Sequence, residues 1–225
     1  MNVIDASTPV AQIVAAHPAC ATLFRENKID FCCHGADTLA AACAARGIDV
    51  EGLLARLRAA ATSDAAPAPP IASDASTPEL IAYVVSRHHA YLRRTLPALE
   101  PLVAKVARVH GPHQPALRDL LEELRELRAE LEPHLDDEET ELFPMLVSRA
   151  PDRARITRRL ADAREEHGRV GRSLARIRAL TDDFRVPDWA CGSYRMMMTE
   201  LAALEEDTLR HVHLENHVLM PRFET

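Results

Sequence analysis

The sequence predicts an all-α fold, in which a small helical N-terminal domain precedes a C-terminal up-down-up-down four-helix bundle. Strong helix formers dominate the 225 residues, whereas only 4% are aromatic and only 7 are glycine. A proline-rich stretch divides the chain in two. After it, four long segments repeat apolar residues at steps of three and four, which is the spacing of one helix face.

The N-terminal domain is predicted for residues 1–60 and a linker for residues 61–77. The domain carries short helical patterns, such as Val50 to Leu57, with Asp49 as a plausible N-terminal cap. The linker reads ATSDAAPAPPIASDAST, and its clustered prolines disfavour a helix. We therefore place a domain boundary in this stretch.

The bundle is predicted for residues 78–225, with helix ends marked by proline and glycine. Thr77 is predicted to cap the first helix, which has Pro78 at its first position and runs to about His110, where Gly111 and Pro112 stop it. The other three helices are predicted at about Gln114–Ser148, Asp152–Leu180 and Ser193–Pro221. Short connections make consecutive helices antiparallel.

Each predicted helix carries one long apolar stripe, and polar metal-ligand types interrupt it at one level. At their far ends the stripes include Val85, Met145 and Val218. The interrupting residues are His89 in the first helix, His134 and Glu138 in the second, His167 in the third, and His211 and Glu215 in the fourth. Thr208 is a milder polar exception in the fourth stripe.

A single histidine on an apolar stripe is usually a hydrogen-bonded core residue rather than a ligand. The same interruption in four helices is different, because buried charges are costly unless they are paired or bound to metal. In addition, His89 and His134 lie nearly equally far from the turn at Gly111, and His134 and His167 nearly equally far from Ala150. Since every helical residue rises ~1.5 Å, the ligand types are predicted to converge on one layer.

Four imidazoles and two carboxylates exceed the needs of one tetrahedral zinc ion and suit two ions bridged by the glutamates. Mixed nitrogen and oxygen ligation favours iron or manganese, and we choose iron because the stripes contain no thiolate. The predicted cofactor is a pair of non-haem iron ions with an oxo or hydroxo bridge. His88, which is off the stripe, is interpreted as solvated or as a support for the ligands; His213 and His217 are off it too.

Three further residues near the ligands leave alternatives open. Glu130 and Glu166 are either acceptors that support the ligands, an exit path for iron, or solvated helix residues. Pro133 is expected to kink the second helix beside His134, since proline removes a backbone hydrogen bond.

Cys32 and Cys33 form an adjacent pair in the N-terminal domain, within the motif DFCCHG. Consecutive Cα atoms are only about 3.8 Å apart, so the pair makes a poor structural disulfide. Two readings remain. The residues are either two small buried thiols or an exposed thiol pair for metal or redox chemistry.

DFCCHG near the N-terminus, HLDDEETELFP from His134 and HVHLENHVLMPR from His211 together resemble the repair-of-iron-centres family. These are bacterial di-iron proteins with a hemerythrin-like domain, and the resemblance covers nearly the whole chain. The sequence departs from the family at His34, where a glycine is usual, and at Pro133. The resemblance implies iron ligands at His89, His134, Glu138, His167, His211 and Glu215, and places the family's double cysteine, the candidate catalytic thiols, at Cys32 and Cys33.

The resemblance also implies a stress protein that restores iron–sulfur clusters damaged by nitric oxide or oxidants, by donating iron, reducing nitric oxide, or both. Its partners would be damaged iron–sulfur proteins, with nitric oxide or oxygen as small ligands. The alternative is a hemerythrin-like protein that binds oxygen or nitric oxide or stores iron. A purely structural helical module is a third reading, against which the convergent ligands argue.

Charge and composition exclude other classes. The net charge of −7 and the mixed signs along the helices argue against nucleic acid as a partner. The N-terminus does not read as a signal peptide, and no apolar run has the length of a membrane span. Five cysteines without the spacing of a disulfide framework indicate a reducing cytoplasm. The oligomeric state, including a homodimer, is left open.

Overall fold

A computed structural model of the chain describes residues 4–62 and 75–224. Within those residues the secondary structure is helical apart from an isolated bridge between Pro9 and Thr38, which confirms the all-α class. Most of the predicted linker, residues 63–74, lies outside the described part. The chain divides into two compact units, Met1–Leu80 with Arg210–Thr225, and Ile81–Leu209.

The N-terminal segment folds into short helices, two of which begin with a side-chain cap. Thr38 starts one of them by accepting a hydrogen bond from the amide of Ala41. Asp49 accepts hydrogen bonds from the amides of Glu51 and Gly52, as predicted for a capping residue. The helices are α1 (Val10–Ala16), α2 (Cys20–Glu26), α3 (Leu39–Ala44) and α4 (Val50–Thr62).

The bundle segment consists of longer helices, some of which contain five-residue π-helical turns. The helices are α5 (Thr77–Val84), α6 (Ala90–His110), α7 (Ala116–Asp137), α8 (Phe143–Leu146), α9 (Arg153–Leu180) and α10 (Gly192–Leu214). The turns are π1 (Val85–His89), π2 (Glu138–Leu142) and π3 (Glu215–Leu219), and a 3₁₀ turn (Met220–Phe223) follows. The sequence predicted four uninterrupted helices in the bundle, but three of them contain one of these π turns. Only α9 continues without one in the described residues.

The unit Ile81–Leu209 has one apolar core. Helix α7 packs against both α6 and α9, and α10 adds its own buried side chains to the same cluster. Leu96, Leu127, Leu174 and Leu201 are among its buried residues. Burial of each such side chain contributes ~1.5–3 kcal/mol, so the bundle has a large apolar contribution to its stability that does not depend on the polar residues.

The π turns shift the predicted stripes by one residue at their ends. A π turn bonds residue i to i+5, so it holds one residue more than an α turn and rotates everything beyond it. Stripes extended at steps of three and four therefore select the wrong neighbour inside the turn or just after it. In each case the adjacent residue is buried instead: Val84 rather than Val85, Leu146 rather than Met145, and Leu219 rather than Val218.

Candidate metal centre

Four of the predicted ligands come together in the unit Ile81–Leu209. All four are buried, with at most 5% of any residue exposed. Two of them mark the π turns, since π1 ends at one ligand and π2 begins at another. The four are His89 at the end of π1, His134 in α7, Glu138 at the start of π2 and His167 in α9.

The carboxylate of Glu138 lies among three imidazoles. Its Oε2 is 3.4 Å from Nε2 of His89 and 3.5 Å from Nε2 of His134, and its Oε1 is 3.9 Å from Nε2 of His167. Glu138 is 1% exposed, yet neither carboxylate oxygen accepts a hydrogen bond from a described residue. A buried carboxylate in this condition is costly unless a cation is held beside it.

The separations in this cluster fit the donors of a metal ion. Nε2 of His134 and Nε2 of His167 are 3.2 Å apart. Ligands at right angles around an ion with bonds of about 2.1 Å lie roughly 3 Å apart, close to this value. One ligand atom each from His134, Glu138 and His167 lies within 4.8 Å of the other two. These nitrogen and oxygen donors suit a non-haem iron ion.

Two further carboxylates orient the imidazoles. Nδ1 of His89 is 2.9 Å from Oε1 of Glu139, and Nδ1 of His134 is 2.7 Å from Oε2 of Glu166. A carboxylate accepts from the protonated ring nitrogen, so Nδ1 carries the hydrogen and the lone pair of Nε2 faces Glu138. Both rings thereby turn Nε2 toward the carboxylate of Glu138.

The same contacts keep both supporting carboxylates ionised. The hydrogen bond from His134 is the largest cause of a lowered pKa at Glu166, and it outweighs partial burial. Burial would raise the pKa of Glu139, but hydrogen bonds from His89 and Arg93 together lower it. Negative charge next to each ring increases its basicity toward a metal.

The contacts resolve part of the sequence-based alternatives. Glu166 supports a ligand, whereas Glu130 pairs with Arg169 on α9. The sequence analysis missed Glu139, because a regular helix would have turned it away from the stripe. No signal in the helical period could have identified it, because the π turn that contains it interrupts that period. Pro133 lies within the continuous helix α7 and is exposed.

His88 is not solvated, so that alternative is wrong. The residue is 3% exposed, its Nδ1 lies 3.1 Å from Oδ1 of Asp207, and its ring packs edge-on against Tyr83. The π1 turn explains the error, since its wider backbone buries both His88 and His89 although they are adjacent. His88 is therefore a buried side chain in contact with a carboxylate, next to the predicted ligand His89.

The last two predicted ligands form a pair on the final helix. His211 lies near the C-terminus of α10, and Glu215 is the first residue of π3. Both are 0% exposed. Nε2 of His211 is 2.9 Å from Oε1 of Glu215, as expected for residues four apart on one helix face.

Other side chains on the final helix hold the backbone of the cysteine loop, here defined as residues 30–35. His213 donates from Nδ1 to the carbonyl of Phe31 at 3.3 Å, and burial lowers the pKa of His213 to about 4, so the ring is neutral. Asn216 donates to the carbonyl of Cys32 at 3.0 Å, and His217 donates to the same carbonyl at 2.8 Å. The sequence analysis placed His213 and His217 off the stripe but gave neither this role.

Within the cysteine loop, the carboxylate of Asp30 accepts hydrogen bonds from the neighbouring amides and from a thiol. Its Oδ1 accepts hydrogen bonds from the amides of Cys32 and Cys33, at 3.0 and 2.8 Å, and from the thiol of Cys32 at 3.2 Å. Its Oδ2 is 2.8 Å from Nδ1 of His34. Cys32 is buried and Cys33 is half-buried, so the pair is neither wholly buried nor exposed, and its chemistry stays a prediction.

Two family models match this chain, one in each of its two parts. The family model for the hemerythrin HHE cation binding domain matches residues 80–223. The ScdA_N model, described as a domain of unknown function, matches residues 6–61. In the described residues, no helix is both long and apolar enough to cross a membrane.

Relatives match along nearly the whole chain. The iron-sulfur cluster repair protein ScdA of Staphylococcus haemolyticus is 35% identical over 216 residues, which is 95% of this chain and 96% of the relative. ScdA of Staphylococcus epidermidis is 34% identical over 222 residues, with the same shares of both chains. The iron-sulfur cluster repair protein YtfE of Yersinia pseudotuberculosis is 34% identical over 213 residues, 93% of each chain. The chain therefore belongs to the repair-of-iron-centres family, which its motifs resemble.

Proposed function

We propose that this protein repairs damaged iron–sulfur clusters by donating iron from a di-iron centre in its helical bundle. The observation that carries the proposal is the buried carboxylate of Glu138, which faces three imidazoles and accepts no hydrogen bond from a described residue. The relatives named as iron-sulfur cluster repair proteins supply the reaction class. The targets would be iron–sulfur proteins damaged by nitric oxide or oxidants.

The proposed centre also includes His211 and Glu215. Helix α10 is continuous from Gly192 to Leu214, and its earlier turns contribute Leu201 and Leu204 to the bundle core. The same face then carries the buried pair His211 and Glu215 within the next turns. With this pair the set becomes four imidazoles and two carboxylates, which is enough for two ions bridged by the glutamates.

Iron in such a centre would supply redox chemistry and open positions for small ligands. The chain's own residues hold the donors in place, fix the ring tautomers through Glu139 and Glu166, and surround them with apolar side chains. Ferrous iron stands low in the affinity order of divalent metals, and thiolate ligands are absent from this set. Both features favour a centre that releases iron to a client.

Iron donation can be separated from gas binding by following the metal. The reduced, iron-loaded full chain would be mixed without oxygen with a cluster protein damaged by nitric oxide. We expect client activity to return while iron leaves this protein. Glu138→Ala, which removes the central carboxylate, should give no recovery; Glu141→Ala, in the same turn but exposed, should behave like the wild type.

Two other outcomes would redirect the proposal. Reversible oxygen binding with complete retention of iron, and no recovery of the client, would identify an oxygen- or nitric-oxide-binding protein. Consumption of nitric oxide with electrons from an added reductant, again with iron retained, would identify a nitric oxide reductase instead of a donor.

A further inference from the structure

A second cluster of metal-ligand types lies in the cysteine loop and shares no residue with the histidine and glutamate donors. One ligand atom each from Asp30, Cys32 and Cys33 lies within 4.8 Å of the other two. We propose that these three side chains bind one thiophilic divalent cation, such as Fe²⁺ or Zn²⁺, through two thiolates and one carboxylate. This proposal does not depend on whether the bundle centre donates its iron.

The distances between the donors already approach those of a tetrahedral site. The sulfur atoms of Cys32 and Cys33 are 3.5 Å apart, and the sulfur of Cys32 is 3.2 Å from Oδ1 of Asp30. Metal–sulfur bonds of about 2.3 Å and metal–oxygen bonds of about 2.1 Å give tetrahedral edges of roughly 3.8 and 3.6 Å. A shift of a few tenths of an ångström would therefore suffice to admit an ion.

The loop is held in this shape by its backbone. Inside the loop, Asp30 accepts from the amides of both cysteines. From the final helix, Asn216 and His217 both donate to the carbonyl of Cys32. Since the backbone on both sides of the Cys32 thiol is fixed, binding would cost little loop ordering, which is the property expected of a preformed site.

The thiol of Cys32 is hydrogen-bonded to both other members of the cluster, Asp30 and Cys33. The hydrogen bond with Cys33 is the largest cause of a pKa of Cys32 well above its ordinary value, and burial adds to it. Burial would raise the pKa of Asp30, but hydrogen bonds from His34, Cys33 and Cys32 outweigh it and lower that pKa. An ionised carboxylate thus accepts the thiol hydrogen. A metal ion would take the place of the thiol protons and release them to solvent.

An ordinary buried thiol in the same unit looks different. Cys20 is 0% exposed and its sulfur contacts the carbonyl of Leu57 at 3.6 Å, which is a packing role. At the cysteine loop, by contrast, two thiols and a carboxylate converge, and Cys33 is half-buried. Solvent or an exchanging ligand can therefore complete the coordination from the side of Cys33, as suits a site that passes its ion on.

The test uses Co²⁺ as a spectroscopic probe of the full, iron-loaded chain, reduced and without oxygen. The bundle donors include no thiolate, so a thiolate-to-cobalt charge-transfer band in the difference spectrum reports cysteine ligation. We expect the band to saturate at one Co²⁺ per chain. It should vanish in Cys32→Ser/Cys33→Ser and persist in Cys191→Ser, which removes an exposed thiol elsewhere.

Asp30→Asn separates ligation from loop positioning, since asparagine can still accept the two amide hydrogen bonds. We expect its Co²⁺ affinity to fall at least about tenfold. The proposal is overturned if no band forms under a large excess of Co²⁺, or if the band survives in the double variant.

A measurement without variants guards against a loop that fails to fold after substitution. Wild-type protein would be alkylated with iodoacetamide, with and without one equivalent of Zn²⁺, and each cysteine would be quantified by peptide mass spectrometry. Protection of Cys33, with Cys191 alkylated equally in both samples, supports the site. Equal alkylation of Cys33 with and without Zn²⁺ overturns it.

Discussion

The bundle cluster around Glu138 and the cysteine loop both assemble polar groups in largely buried surroundings, but they are built differently. The bundle cluster uses side chains projected from helix faces, and these face one another across the core. The cysteine loop uses backbone amides and carbonyls, held by Asp30 from inside and by Asn216 and His217 from the final helix. The bundle cluster is visible in the sequence as apolar residues repeated at steps of three and four, whereas the cysteine loop is visible only as the short motif DFCCHG.

The difference has a consequence for substitution. Removal of one side chain from the bundle cluster deletes a donor but leaves the apolar core that sets the helix positions. In the cysteine loop, a larger side chain or a lost hydrogen bond is expected to displace the backbone. The side chains of Asp30, Cys32 and Cys33 would then move together. Variants that lose metal without unfolding are therefore expected in the bundle, and variants that distort the whole site are expected in the loop.

The largest expected effect comes from Glu138→Ala. The carboxylate is the group shared by three imidazoles, so its loss should empty the centre of most of its iron, whereas the helices should stay folded. Metal analysis and far-ultraviolet circular dichroism test the two statements together. Glu141→Ala is the matched control, because it lies in the same π turn and is exposed. A variant that keeps its full iron content would refute the central position given to Glu138.

A smaller loss is expected for Glu166→Gln. The change removes the charge that orients His134 but retains the ligand itself, and loss of such a partner typically weakens metal binding 10–100-fold. Competition with a chromophoric iron chelator measures the affinity. Glu165→Gln, one residue away and paired with Arg169 on the exposed side, should bind iron like the wild type. Equal weakening in both variants would point to general electrostatics rather than ring orientation.

The helix stripes of the bundle could be predicted from the sequence wherever the helix is regular. The third helix, α9, keeps a regular period. It buries the predicted ligand His167 together with apolar residues at steps of three and four on the same face: Ile156, Leu160, Ala163, Val170, Leu174 and Ile177. The other stripes each fail at one residue, which lies inside the π turn (Val85 and Val218) or just after it (Met145), because the inserted residue rotates the register. His88 and Glu139 were misjudged for the same reason, since each sits in such a turn beside a ligand.

The cysteine loop could not be predicted to this depth. The motif identified Cys32 and Cys33, but the capture of their amides by Asp30 depends on loop dihedrals that have no sequence period. The contacts of Asn216 and His217 with the carbonyl of Cys32 join residues far apart in the chain. No stripe or spacing rule encodes such a contact, because it is specified by tertiary packing alone.

Gly35→Ala should damage the loop design through its backbone. A Cβ at this position would lie 2.5 Å from Nε2 of His217 and 2.6 Å from the carbonyl oxygen of Phe31, so the loop must move. We expect a loss of about 1–3 kcal/mol in the free energy of unfolding. Denaturant unfolding measures it, with the cobalt band as a second readout.

The matched control for this change is Gly168→Ala. Gly168 lies inside α9, and an added Cβ would meet only Arg172 Nη1, at 3.6 Å. Alanine is the better helix former, so this variant should gain about 0.5–1 kcal/mol. If Gly35→Ala were as well tolerated as Gly168→Ala, the close packing of the cysteine loop would not matter for stability.

The smallest effect on bundle iron is expected for Cys32→Ser/Cys33→Ser. Serine keeps nearly the same volume, and its hydroxyl can still donate to Asp30, so the loop should retain its backbone contacts. The bundle donors are imidazole nitrogens and carboxylate oxygens, none of which this change removes. Iron content after anaerobic purification should therefore match the wild type, whereas restoration of a damaged client should slow. If the iron were lost together with the thiols, the two designs would form a single site, and the division of labour between helix faces and loop would fail.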